Sequence, residues 1–367
     1  MKTLHKVQYF IIVIIPAVIL LSCEDDSPKL EDNMLNFEIE EVPVTDDYLI
    51  GVSYYGQNDW SDYNYEEPQM GRYGEGYSVT DTDAMKQHID WLAESGINFL
   101  LFDYSPSYSD SGIVVADTAT FASVFINRPN SGLLRFALKF NFGYLGITTN
   151  RRIHVNDDLF EDFFNGFRKM ISFFENENYQ KIDDKYLVYL CAASDLFSDS
   201  TGSAPVYNEL RSRMLAMGYN LYIIGEQPRW TPPARYEIRL KNCVDAVTYV
   251  NMIETANYEA QLFFHQYVYL NWEYSKDYFN SWGVDFIPQI QPAYTDRVVN
   301  PSSVNFVFEG GEDFFRKYCN VAKAHCSGKR LILVDSFNNW TYNNQIEPSV
   351  NNSALYLDII KDEFKLK

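Results

Sequence analysis

Acidic side chains follow several short apolar runs of this 367-residue chain. Asp103, Glu226 and Asp335 stand at or directly after the end of such a run, and Glu254 lies a few residues beyond another. Two carboxyl groups on opposite sides of a bond can act together, one as proton donor and the other as base or nucleophile. Glu226, Glu254 and Asp335 are therefore candidate catalytic residues, and Asp103 is a candidate binding residue.

Aromatic and amide side chains occupy the same kind of position. Aromatic residues make up 16% of the chain, including 28 Tyr and 6 Trp. Rings can cover the apolar faces of sugars, and amides or carboxylates satisfy hydroxyl groups. The alternative is that each ring is ordinary core packing and each polar group satisfies nearby backbone. The candidate substrate-binding residues are Tyr54, Tyr55, Trp60, Asp103, Tyr249, Tyr294, Asn338, Asn339, Trp340 and Tyr342.

The sequence shows no pattern typical of a metal site, a dinucleotide-binding turn or a serine nucleophile. The cysteines show no CxxC spacing and the five histidines are scattered, so we expect no metal site. The turn after Tyr55 lacks a GxGxxG pattern, and no GxSxG pattern marks a serine nucleophile. We expect the protein to work without a cofactor.

The charge balance restricts the partners. Thirty Lys and Arg against 50 Asp and Glu give a net charge of −20. Binding a phosphate backbone or anionic lipid headgroups requires clustered cations. We therefore expect no nucleic-acid partner and no electrostatic membrane docking, and a neutral glycan is the preferred ligand. A monomer is the expected state.

Eight short apolar runs alternate with amphipathic segments after residue 48. The runs are 49–55, 97–103, 134–142, 186–191, 221–225, 246–250, 285–291 and 330–335. This alternation predicts parallel strands joined by crossover helices. The predicted fold is α/β, a single (β/α)8 TIM-type barrel over residues 48–367, whose site lies at the carboxyl ends of the strands. An open doubly wound sheet is the alternative.

The N-terminus has the pattern of an export signal. Lys2 and Lys6 precede a nearly continuous apolar stretch, 9–21, which is too short to span a bilayer. The ending Leu20-Leu21-Ser22-Cys23 resembles a bacterial lipobox, and the acidic residues that follow resemble the surface-export signal of Bacteroides-type lipoproteins. We expect a signal peptide over 1–22, lipidation of Cys23 and a flexible acidic tether over 23–47. This implies a lipid anchor in the outer membrane, with the protein facing the cell exterior.

Segment 335–348 carries a family resemblance. It reads DSFNNWTYNNQIEP and resembles the S-[FW]-N-E-W-x-E-G-x-x-I-E-P hallmark of glycoside hydrolase family 99 and WbsX-like proteins. Tyr54-Tyr55, the loop around Pro68 and Gly71, and the segment from His88 to Ile97 resemble other parts of this family. The resemblance implies an eight-stranded α/β barrel and endo-acting hydrolysis of α-mannosidic glycans.

The chain departs from this family at the catalytic positions. The two family glutamates align with Asn339 and Tyr342, neither of which can serve as a carboxylic acid near pH 7. Glu347 is the one carboxylate retained in the hallmark beyond Asp335 and joins the catalytic candidates. Two hypotheses follow: a divergent glycosidase with a relocated catalytic pair, or a catalytically inactive glycan-binding lipoprotein. A surface lipoprotein without a glycan ligand is a third.

Overall fold

The computed structural model describes residues 37–55, 69–70, 77–78, 80–109, 112–115, 119–228, 230, 232–250, 262–305, 307–308 and 310–367. The predicted signal peptide, Cys23, Trp60 and Glu254 lie outside these ranges. A compact unit begins at Glu40, eight residues before the predicted barrel boundary. Asn320 ties this start to the body, accepting a hydrogen bond from the Val42 amide at 2.8 Å and donating to the Glu40 carbonyl at 2.9 Å.

Parallel strands form the centre of this unit. In chain order they are β1 Leu49–Tyr54, β2 Phe99–Tyr104, β3 Arg135–Phe140, β4 Lys185–Leu190, β5 Leu221–Gln227, β6 Ala246–Tyr249, β7 with its two segments Asp285–Ile287 and Gln289–Ile290, and β8 Leu331–Val334. Each strand pairs in parallel with the next one along the chain from β1 to β7. The strands are rich in branched and aromatic residues, which are buried on both faces of the sheet, as parallel strands covered by helices require.

The two segments of β7 close the sheet. Asp285–Ile287 pairs with β6, whereas Gln289–Ile290 pairs with β8, and β8 in turn pairs with β1. Pro288 separates the segments, and its carbonyl accepts a hydrogen bond from the Leu333 amide at 2.9 Å. The predicted (β/α)8 barrel is therefore confirmed, and the doubly wound alternative is excluded.

Helices follow the strands around the barrel. They are α1 Thr82–Glu94, α2 Ala119–Ile126, α3 Asp158–Arg168, α4 Ile171–Phe174, α5 Ala204–Ala216, α6 Glu237–Leu240, α7 Phe264–Ser281, α8 Glu312–His325 and α9 Leu355–Phe364. None of the helices in the described ranges is long and apolar enough to cross a membrane. An antiparallel hairpin, Pro106–Ser109 with Gly112–Val115, extends the loop after β2.

Local sequence fixes the helix starts. Asp81 caps α1 by accepting from the Asp83 and Ala84 amides, and Gly96 follows the helix with φ +74°. Asp157 caps α3 through the Phe160 amide at 2.7 Å. The helix α3 ends at Arg168, and α4 begins at Ile171.

Candidate active site

Four neighbouring strands present side chains at one level inside the barrel mouth. Asp103 of β2 pairs in register with Lys139 of β3, and Lys139 pairs with Tyr189 of β4. Tyr54 is level with Phe102, so the next residue, Tyr55, is level with Asp103. Residues paired in register on parallel strands lie side by side. These side chains therefore form one polar layer near the carboxyl ends of the strands.

Lys139 is the cation of this layer and is only 7% exposed. Its Nζ donates to Ser53 Oγ at 3.4 Å and to the Tyr55 hydroxyl at 3.3 Å. It lies 3.9 Å from Asp103 Oδ1. The ammonium also lies 5.0 Å and 5.2 Å from the ring centres of Tyr55 and Tyr189, within the range of a cation–π contact.

Tyr55 links this lysine to a predicted catalytic residue. Its hydroxyl donates to Asp335 Oδ1 at 3.0 Å. Asp335 directly follows β8 and is buried. The structure therefore brings together Tyr55, Asp103 and Asp335, three residues that the sequence selected from three different strand ends.

Glu226 of β5 joins this layer through hydrogen bonds, two residues beyond Ile224, which is the register partner of Tyr189. Its Oε2 accepts from the Tyr189 hydroxyl at 2.7 Å, and its Oε1 accepts from the Ala192 amide at 3.1 Å. Burial raises the pKa of Glu226 above its ordinary value, against the opposing effect of Lys139. A carboxyl group with a raised pKa retains its proton to higher pH, as a general acid requires.

Burial and neighbouring charges also shift the pKa values of Asp103, Lys139 and Cys191. Burial raises the pKa of Asp103, although Lys139 acts in the opposite direction. Burial acts to lower the pKa of Lys139, but the oxygens of Tyr55, Asp103 and Asp335 outweigh it and raise that pKa well above its ordinary value. Burial also raises the pKa of the nearby Cys191 thiol, so this cysteine stays a neutral thiol rather than a nucleophilic thiolate.

Glu347 occupies a different, enclosed position. Its Oε2 accepts from the Tyr77 hydroxyl at 2.9 Å and from Trp340 Nε1 at 2.8 Å, and its Oε1 lies 3.2 Å from His88 Nε2. His88 Nδ1 in turn lies 3.0 Å from the Tyr54 hydroxyl. Both side chains of the Glu347–His88 pair are fully buried. The expectation that Glu347 is catalytic is corrected, because its carboxylate is used to hold protein groups.

The same cluster uses two of the predicted stacking rings. Trp340 is 1% exposed and Tyr54 is 2% exposed, and Tyr54 stacks on Phe337 at 5.7 Å. Tyr249 is also buried, with its hydroxyl donating to Ser275 Oγ of α7 at 2.9 Å. These three rings pack inside the protein, which corrects the expectation that they cover a sugar. The sequence could not make this distinction because a ring at a strand end can face either way.

Two further tyrosines form a parallel stack after β7 and β8. The ring of Tyr294 lies 5.9 Å from that of Tyr342, with 8° between their planes. Tyr294 is buried, whereas Tyr342 is half-buried. Asn339 is also half-buried, and its backbone amide donates to Ser336 Oγ at 2.8 Å. Asn339 and Tyr342, which align with the two family glutamates, therefore both retain some exposed surface.

Asn338 connects the polar layer around Lys139 with the enclosed cluster around Glu347. It accepts from the Tyr55 amide at 2.8 Å and donates to the Tyr55 carbonyl at 2.9 Å. The same Nδ2 lies 3.1 Å from the Tyr77 hydroxyl. Asn338 is fully buried, so we assign it to positioning Tyr55 rather than to substrate contact.

Lys139 and Tyr189 are site residues that the sequence reading missed. A signal was present, because Lys139 interrupts the apolar run 134–142 towards its carboxyl end, where the site of such a barrel lies. Within the described ranges, no three His, Cys, Asp or Glu side chains are grouped to hold a metal ion.

Comparisons with known proteins add three structures. A solved structure described as a glycoside hydrolase-like protein is 32% identical, with a TM-score of 0.83, over 92% of this chain and 99% of that one. Two structures of an endo-α-mannosidase of glycoside hydrolase family 99 from Bacteroides thetaiotaomicron, one with bis-tris propane, are 13% and 14% identical with TM-scores of 0.61 and 0.58. Each covers 87% of this chain and 97% of its own, and at this identity they show the fold alone. No family model matches the chain, and no curated protein does.

Proposed function

The chain belongs to the glycoside hydrolase-like proteins, and from this membership we propose that it is an endo-glycosidase that cleaves a polysaccharide or glycan at the mouth of its barrel. The observation that carries the proposal is the joint position of Asp335 and Glu226. Asp335 follows β8 and Glu226 lies on β5, and they are joined to one polar layer through hydrogen bonds from the hydroxyls of Tyr55 and Tyr189. An α-mannan is the first substrate to test, because the family 99 structures of similar fold carry the name endo-α-mannosidase.

The two carboxyl groups have different environments, which supports different roles. Glu226 has a pKa raised by burial and is assigned as the acid that protonates the leaving glycosidic oxygen. Asp335 accepts a hydrogen bond from the Tyr55 hydroxyl and is assigned either as the base that activates water or as the nucleophile at the sugar carbon. The C–O bond breaks as the leaving oxygen takes the Glu226 proton. Water supplies the new hydroxyl on the sugar carbon: either it attacks directly and its proton passes to Asp335, or it displaces Asp335 from a glycosyl ester and its proton passes to Glu226.

One experiment tests this proposal directly. The protein is incubated with a panel of neutral polysaccharides that includes α-mannan, and both bound material and new reducing ends are measured. We expect release by the wild type and a loss of at least about 100-fold in Glu226→Gln and in Asp335→Asn. Release that is unchanged in both variants would contradict the assignment.

A glycan-binding protein without catalysis is the second candidate. The residues at the aligned family glutamate positions, Asn339 and Tyr342, favour it. It predicts binding by the wild type, no reducing ends, and the same affinity in Glu226→Gln. A lack of both binding and release would instead support a surface protein without a glycan ligand.

We further propose that the protein is anchored to the outer membrane through a lipid on Cys23 and faces the cell exterior. The basis is the sequence around Cys23, which resembles a lipobox followed by an acidic export signal. Cys23→Ala should abolish incorporation of a labelled fatty acid and release the protein from the membrane fraction. Protease treatment of intact cells, with an inner-membrane protein as control, tests the side on which it faces.

A further inference from the structure

The hydrogen-bond chemistry around Lys139 has a fixed direction. A lysine ammonium carries three donors and no acceptor, so the Tyr55 oxygen accepts from Lys139 Nζ across 3.3 Å. A tyrosine hydroxyl has one proton, and here it points to Asp335 Oδ1 at 3.0 Å. The order of donors and acceptors is therefore Lys139, Tyr55 and Asp335.

We propose that Lys139 is a positioning residue for the reaction and acts on Asp335 through the Tyr55 hydroxyl. Because the tyrosine proton is committed to Asp335, that carboxylate is held as a proton acceptor in one orientation. This role rests on the proposed function only for its kinetic readout. This link to Lys139 distinguishes Asp335 from Glu226. Glu226 accepts from the Tyr189 hydroxyl and the Ala192 amide, and none of its described hydrogen bonds leads to Lys139.

Further groups surround this chain on every neighbouring strand. Asp103 belongs to β2, the strand between those of Tyr55 and Lys139, and lies 3.9 Å from Lys139 Nζ, which is longer than the hydrogen bond to Tyr55. Asn338 fixes the Tyr55 backbone from the segment after β8. The ionisable groups that interact electrostatically with Lys139, Tyr55 or Asp335 are Asp103 from β2, Tyr189 from β4, Cys191 after β4, Glu226 from β5 and Tyr294 after β7.

A kinetic comparison tests the role during turnover. We expect Lys139→Met and Tyr55→Phe each to lower kcat by about 10- to 100-fold with a smaller change in KM, as loss of a supporting hydrogen bond does elsewhere. The acidic limb of the kcat/KM profile should move to higher pH in both. The double variant should be no worse than either single one, because both break the same link.

Two variants serve as references for this comparison. Lys139→Arg retains a cation and should recover part of the activity and of the pH profile. Lys86→Met removes an exposed lysine of α1 and should leave both unchanged. Independent, multiplying effects of Lys139→Met and Tyr55→Phe, or an unmoved acidic limb, would overturn the proposal.

A second measurement needs no substrate. The coupling between Lys139→Met and Asp335→Asn is measured from urea unfolding, first with Tyr55 present and then in the Tyr55→Phe background. The proposal expects this coupling to fall by more than half when the hydroxyl is removed. A coupling that is unchanged in Tyr55→Phe would show a direct effect through space and overturn it. If the wild type releases no sugar, the proposed function fails while this measurement still decides the link. Tyr55→Phe and Lys139→Arg provide the result if Lys139→Met does not fold.

Discussion

Asn338 and Tyr55 exchange two hydrogen bonds, one in each direction between the amide side chain and the tyrosine backbone, at 2.8 Å and 2.9 Å. The pair joins the end of β1 to the segment after β8, so the two strands that meet where the chain closes its barrel share one fixed contact. Tyr55 then reaches Asp335, and Asn338 reaches Tyr77 and through it Glu347. The proposed catalytic carboxylate is thus oriented by the enclosed cluster behind it.

Glu226 provides a prediction on pH. Its assigned role needs the protonated form, so activity should fall as pH rises through its pKa. Burial raises that pKa, so the basic limb of the kcat profile should lie above the ordinary glutamate value of about 4.3. Glu226→Gln should remove this limb together with the activity and retain glycan binding, measured by calorimetry. A basic limb that persists in residual Glu226→Gln activity would contradict the assignment.

Asp103 provides a prediction on stability. Burial raises its pKa in the folded protein, so its contribution to the free energy of unfolding is fully present below the unfolded pKa and is lost as pH rises through the folded value. Asp103→Asn should therefore gain in Tm relative to the wild type as pH increases from about 4 to about 7. Thermal unfolding at several pH values measures this, with Asp277→Asn at an exposed position of α7 as the matched control. A Tm difference that shrinks with rising pH would be the wrong sign.

Glu347 is predicted to stabilise the fold rather than to catalyse. Glu347→Ala removes the carboxylate that accepts from the buried Tyr77 hydroxyl and from Trp340 Nε1, and it creates a cavity. We expect a loss of about 2–5 kcal/mol in the free energy of unfolding, measured with urea. Glu347→Gln should lose less, and Glu273→Ala on the exposed face of α7 should lose less than about 0.5 kcal/mol. A Glu347→Ala protein of normal stability without activity would favour the catalytic role instead.

Gly51 is predicted to be required for packing between β1 and β2. A Cβ at this position would overlap the ring of Phe99, which is fully buried. Gly51→Ala should lower the free energy of unfolding by about 1–3 kcal/mol or more. Gly132→Ala is the matched control, because a Cβ there meets no atom within 4 Å. Equal urea midpoints for the two variants would show that the barrel accommodates the added methyl group.

Tyr342 is predicted to contact the glycan through its ring. It is half-buried and stacked on Tyr294, so one neighbour already fixes its orientation. Tyr342→Ala should weaken binding by about tenfold, the order expected for loss of one aromatic contact. Tyr342→Phe retains the ring and should bind as the wild type does, in affinity electrophoresis with α-mannan. If both variants lose affinity equally, the hydroxyl rather than the ring makes the contact.

The sequence determined the barrel because hydrophobic periodicity is a local property of the chain. Strand and helix patterns alternate eight times, and β7 was identified as one run, 285–291, although its two halves pair with different neighbours. The resemblance in segment 335–348 indicated the same fold. The predictions for Cys23, Trp60 and Glu254 stay predictions, since these residues lie outside the described ranges.

Only the tertiary structure decided which strand-end residues face the barrel mouth. Tyr54 and Tyr55 are adjacent and chemically identical, yet one packs on His88 behind the sheet and the other reaches Asp335 inside it. Lys139 became part of the site because two strands, β1 and β2, bring oxygen atoms to it from positions far apart in the chain. Composition and spacing determine which residues reach the end of a strand. The side of the sheet that each one occupies, and the partners that set its charge, depend on contacts between segments distant in sequence.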